Sequence, residues 1–92
     1  MNFEIADSST EKTVLSWFEA REYVKTLGNE WRLPTRDELD TIYYCNNDFQ
    51  QEKYWSDTGF SNSAWLQDFR DGTQDYYNKN LCINVRAVRT IK

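Results

Sequence analysis

Histidine is absent from these 92 residues, which include one proline, three glycines and two cysteines. Without histidine there is no imidazole to relay protons, activate a nucleophile or bind a metal. The scattered glycines form no phosphate-cradling loop, and no recognisable nucleophile motif occurs. No enzyme, cofactor or metal is expected. Cys45 and Cys82 are too few for a disulfide framework and lack metal-ligand spacing. Both read as reduced, small packing residues. No apolar run reaches the length of a membrane span. The opening Met1-Asn2-Phe3-Glu4-Ile5-Ala6-Asp7 has neither a basic segment nor an apolar stretch, so no secretory leader is expected and the cytoplasm is the default compartment. Acids are missing after Asp75, where Lys79, Arg86, Arg89 and Lys92 remain.

What is present is aromatic and acidic. Aromatics make up 16% of a chain whose mean hydropathy is −0.87, so a few large rings must supply most of the buried apolar area. The length suits one domain over residues 1–92. A net charge of −4 argues against general nucleic-acid binding. The charge is uneven, at −6 over residues 1–60 and +2 over residues 61–92. A solvated basic edge strand is the first explanation of the second value, ahead of a binding surface.

Local signals are clearest at Trp31-Arg32-Leu33-Pro34-Thr35-Arg36-Asp37-Glu38-Leu39. Pro34 fixes its own φ and holds Leu33 extended. Thr35 and Glu38 form a capping box, and Asp37 and Glu38 suit the positive end of the helix dipole. Ser16-Trp17-Phe18-Glu19 is a second box, with Leu15 and Ala20 as its staple and Gly28 past the helix end. Helices are expected near 17–27 and 36–45. Strands are expected near 2–6, 54–57, 64–70, 73–78 and 82–89, with the first beside the last and a short extended piece at 13–15. Asp7–Thr10 and Gly59–Asn62 read as turns, and Asn46–Lys53 as a polar loop. Asp71-Gly72 predicts a type I′ hairpin, which would set Asp68 opposite Asp75 and call for a neighbouring arginine. Strand, two helices, then antiparallel strands make an α+β arrangement.

Three segments together carry a family resemblance. Trp31–Leu39 is similar to the W-R-L-P-T-x-x-E-L block in the C-terminal domains of collagen-like bacterial adhesins. Tyr54-Trp55-Ser56-Asp57-Thr58, Ala64-Trp65 and Asp68-Phe69 resemble that family's Y-W-S-S-T … A-W … D-F block, and Val85–Arg89 its closing V-R-x-V-R. R-L-P-T before a helix also resembles formylglycine-generating sulfatase-modifying enzymes, related in fold. The resemblance implies a C-type-lectin-like fold, in which two helices flank a small twisted antiparallel sheet with paired terminal strands. Tyr23-Val24 and Ala87 stand where relatives often carry cysteines. The calcium-lectin motifs E-P-N, Q-P-D and W-N-D are missing, as is the cysteine pair of the sulfatase-modifying enzymes.

The function expected from these features is non-catalytic docking onto a protein or protein assembly inside a cell, nucleoprotein complexes included. Small phage-encoded inhibitors of bacterial defence complexes, the anti-CRISPR type among them, share this profile, and would act in the host cytoplasm. The alternative is an extracellular glycan- or surface-binding module of adhesin type. Candidate partner-binding residues are Phe60, Arg70, Tyr76, Tyr77 and Lys79, with Arg86 and Arg89 in the same basic half. The competing surface is the acidic helical face of Glu19, Glu22, Asp37 and Asp40. Trp17, Trp31, Trp55 and Trp65 are assigned to packing, while Phe49 reads equally as exposed or folded back.

Overall fold

A computed structural model describes residues 2–45 and 48–91, so Met1, Asn46 at the head of the expected loop, Asn47 and Lys92 lie outside it. In chain order come β1 (Phe3–Ile5), β2 (Lys12–Leu15), α1 (Trp17–Thr26), α2 (Arg36–Tyr44), β3 (Lys53–Phe60), β4 (Ser63–Asp68), β5 (Gln74–Asn78), β6 (Ile83–Val85) and β7 (Val88–Thr90). The expected turn at Asp7–Thr10 is a 3-10 turn over Ser8–Thr10, capped by Asp7.

Both helix starts follow the local chemistry. Ser16 with Glu19, and Thr35 with Glu38, form complete capping boxes. Arg32 grips Glu38 through two bonds of 2.7 and 2.8 Å, tying the Pro34 corner to the first turn of α2. The Arg32 contact, reinforced by the Thr35 amide, holds the Glu38 carboxyl below its ordinary range.

β1 and β7 pair antiparallel, Phe3 opposite Thr90, so the described ends meet. The remaining strands form a sheet in the order β2-β6-β3-β4-β5. α1 buries Trp17, Ala20 and Val24 against Trp55, Ala64, Leu66 and Val85. α2 buries Leu39 and Ile42 against Tyr54, Phe69 and the terminal pair's Phe3 and Val88. β3 is therefore engaged on both faces, Trp55 toward α1 and Tyr54 toward α2, because successive strand residues point to opposite sides. The result is the α+β, C-type-lectin-like architecture, two helices flanking a curled sheet.

Several local expectations are corrected. The last strand is two strands, because Arg86 turns inward at the break. It donates to the Ala6 carbonyl at 2.8 Å and pairs with Glu11 and Asp48. The chain thereby moves from partnering β2 to partnering β1. The sheet is not wholly antiparallel: β4 occupies one edge of β3, so β6 closes on the other edge and runs parallel there, Tyr54 opposite Asn84. Gly59 lies within β3 rather than in a turn, opposite Ala64. A Cβ at Gly59 would sit 3.0 Å from the Trp17 ring, so a larger residue there requires that ring to give way by a few tenths of an ångström.

The Asp71-Gly72 hairpin also differs. Gln67 pairs with Gln74 and Leu66 with Asp75, so the loop spans residues 68–73 and Asp68 does not face Asp75. Within it Gly72 alone has positive φ, whereas a type I′ turn needs two such residues. Side chains close the longer loop instead. The Asp68 carboxylate accepts the Arg70 backbone N–H, and the Asp71 carboxylate accepts the Thr73 N–H, both at 2.9 Å. Cys45 and Cys82 are exposed and not packing residues, since each stands at an element boundary facing outward.

Candidate binding surface

The cross-strand register builds one uncovered aromatic face. Trp65 of β4 lies opposite Tyr76 of β5, and Phe60 of β3 lies opposite Ser63, two residues from Trp65 on the same side. The Phe60 and Tyr76 ring centroids are 5.3 Å apart at 69°, and Trp65 meets Tyr76 at 5.3 Å and 70°. Phe60 remains 45% exposed and Tyr76 51%.

α2 covers the other end of this face and fixes its rings. The Arg36 guanidinium carbon lies 3.6 Å from the Trp65 ring centroid. Arg36 Nη2 donates to Gln74 Oε1, and Gln74 Nε2 donates to both Arg36 O and Gln67 Oε1. Gln67 Nε2 in turn donates to Asp40 Oδ1 and Gly72 O. This chain of amides joins α2, β4, β5 and the hairpin loop, so Trp65 is held from behind while Phe60 and Tyr76 stand open.

The five residues expected to meet a partner do not converge. Phe60 and Tyr76 come together. Tyr77 points to the opposite side, packs against the α1 core and helps line a hollow of about 280 Å³ with Val14, Lys53 and Ile83. Lys79 donates to Ser61 O at 2.9 Å and lies 4.3 Å from the Trp17 ring, clamping the β3–β4 turn onto α1. Arg70 sits at the hairpin loop, where its guanidinium and backbone N–H hold the Asp68 carboxyl down at about 2. That neighbouring arginine answers the Asp68 charge, with Lys53 at 3.7 Å as a second cation.

Arg86, placed with the basic surface from sequence, is buried, whereas Arg89 pairs with Glu4 beside the Trp31 ring. The acidic helical face is largely committed: Glu19 caps α1, Glu22 pairs with Lys25, and Asp40 takes the Gln67 amide. Phe49 folds back, its ring stacked 4.8 Å from Phe69. Sequence reasoning missed Trp65 as a surface residue and Arg36 altogether. The alternation Trp65, Gln67 on β4 was the available signal, but it needed the β5 register to acquire meaning.

Among the described residues no group of three or more acidic or cysteine side chains could hold a metal ion. No helix among them is long and apolar enough to cross a membrane.

A family model described as the Lcl C-terminal domain matches residues 4–89. No curated protein matches the chain. The family is the C-terminal module of bacterial Lcl-type adhesins, which corrects the resemblance drawn from sequence: the likeness to sulfatase-modifying enzymes does not make this a domain of that kind. The match also overturns the expected intracellular docking protein, phage-encoded and anti-CRISPR in type, and its cytoplasmic location, because domains of this family belong to extracellular adhesins. The family module is non-catalytic, and the domain is not an enzyme. A protein-binding domain remains, and nothing favours a nucleoprotein partner.

Proposed function

Because the chain belongs to the family of Lcl C-terminal domains, we propose that it is an extracellular surface-binding module of adhesin type, contacting its target through the β3–β4–β5 face. The observation that supports this most is the exposed pair Phe60 and Tyr76, packed beside the partly buried Trp65. Large rings left open to water on a domain this polar give up burial worth about 25 cal/mol per Å² until a partner covers them. Exposed aromatics of this kind are typical anchors of binding surfaces.

Of the expected contact residues, Phe60 and Tyr76 take the direct role in this reading. Arg70 borders the face at the hairpin loop, while Tyr77 and Lys79 support it from behind. Residues 1–92 act as one module, with a single unfolding transition.

The test is adherence of the purified domain to bacterial and animal cell surfaces. The wild type should adhere saturably. Phe60→Ala and Tyr76→Ala should each weaken adherence about tenfold or more with unchanged circular dichroism. Equal adherence by all three proteins would place the binding surface elsewhere.

A further inference from the structure

We propose that the aromatic corner seats an uncharged hexopyranose unit of a surface polysaccharide. The inference rests on the surface-binding reading above and names its ligand class. Tyr76 and Phe60 meet at 69°, and Trp65 and Tyr76 at 70°, so the rings form a floor and a wall rather than a flat plate. Arg36 already lies over Trp65, which leaves the Tyr76 and Phe60 rings as the open surfaces. A pyranose has an apolar C–H face and a rim of hydroxyl groups. The face suits one ring and the edge suits the other, whereas a broad apolar partner would meet the corner poorly.

The rim chemistry agrees. Ser63 and Asn78 are cross-strand neighbours on the same side as Trp65 and Tyr76. The Asn78 carboxamide oxygen accepts the Asn80 N–H, leaving its NH2 end uncommitted among the described residues. A hydroxyl and an amide on the same side of the sheet as a stacking ring can each exchange hydrogen bonds with sugar hydroxyls.

Charge argues against an anionic polymer. Arg36 is committed to the Trp65 ring and to Gln74, and Arg70, at the hairpin border of the face, is committed to Asp68. Lys79 is turned to Ser61 and Trp17. Each of these cations already has a protein partner, so none is left free there to meet a sulfate or carboxylate.

The experiment combines direct titration with competition. Maltohexaose, cellohexaose and mannohexaose serve as neutral probes and heparin as the anionic one, each titrated into wild type, Tyr76→Ala, Phe60→Ala and, as a control on α1, Lys25→Ala. At least one neutral hexaose should bind and displace the domain from cells, with affinity changing less than about twofold between roughly 50 and roughly 500 mM salt. Tyr76→Ala should lose about tenfold or more, and Lys25→Ala should match wild type. Three outcomes overturn the inference while leaving surface binding intact: adherence that saturating neutral hexaoses do not displace, adherence displaced by heparin alone and lost at high salt, or hexaose binding unchanged in Tyr76→Ala. A wild-type domain that adheres to no surface overturns the parent reading together with the inference.

Discussion

Arg36 sits over the Trp65 ring, its guanidinium carbon 3.6 Å from the ring centroid. Arg36 opens α2 and Trp65 lies in the middle of β4, so this one contact fixes the helix against the sheet beside the exposed rings. Arg36→Ala should cost about 1 kcal/mol of stability through the lost cation–π contact. It should also free the Trp65 ring. Surface adherence should fall severalfold, and Trp fluorescence should report a less ordered indole. An Arg36→Ala protein with unchanged fluorescence and adherence would mean that Trp65 is held by its strand neighbours alone.

Glu38 answers two groups, the Thr35 backbone N–H at 2.8 Å and the Arg32 guanidinium. Thr35→Ala removes one side of the capping box and should cost about 1 kcal/mol. Glu38→Ala should cost about 2 kcal/mol, because it also strands the half-buried Arg32. Denaturant midpoints of the two variants check the order.

Gly72 is required twice over. Its φ is +82°, and a Cβ there would stand 2.6 Å from the Tyr43 ring, which itself packs edge-on against Phe69. Gly72→Ala should therefore cost about 2 to 3 kcal/mol, from backbone strain together with displacement of Tyr43. Thermal unfolding that leaves the midpoint in place would show the loop to be pliant.

The Asp68 carboxyl is depressed from 3.8 to about 2, chiefly by the Arg70 side-chain bond. A carboxyl lowered on folding adds stability above its unfolded pKa and loses it as the pH falls through the folded one. The contribution should be complete above about pH 4 and gone near pH 2. Arg70 is largely exposed, so solvent screening keeps the pair's contribution small. Asp68→Asn should flatten that part of the stability–pH curve.

Much of this architecture is legible in the sequence because its signals are local. Both capping boxes lie within four residues, and Pro34 sets the corner before α2 without help from distant parts. The hairpin shows where local reading fails. Asp71-Gly72 favours a two-residue turn in isolation, yet the Asp68 and Asp71 side chains bond their own backbone and lengthen the loop. That two-residue difference in register moved Asp75 from Asp68 to Leu66. Arg86 misled for a related reason: its charge suggests surface, while its partners Ala6, Glu11 and Asp48 come from remote segments. The aromatic corner was half visible. Phe60 and Tyr76 could be picked out as exposed rings, but Trp65 joins them through strand pairing and Arg36 through helix packing.

The most direct measurement of where this domain meets its target is residue-resolved NMR of the 15N-labelled protein during titration with the surface material it adheres to. Broadening or shifts should concentrate on Phe60, Ser63, Trp65, Tyr76 and Asn78, with the Trp65 indole N–H among the most affected signals. Perturbations confined instead to the exposed α1 residues Glu22 and Lys25, or to Asp37 at the start of α2, with the aromatic corner unmoved, would contradict the assignment of the β3–β4–β5 face as the binding surface.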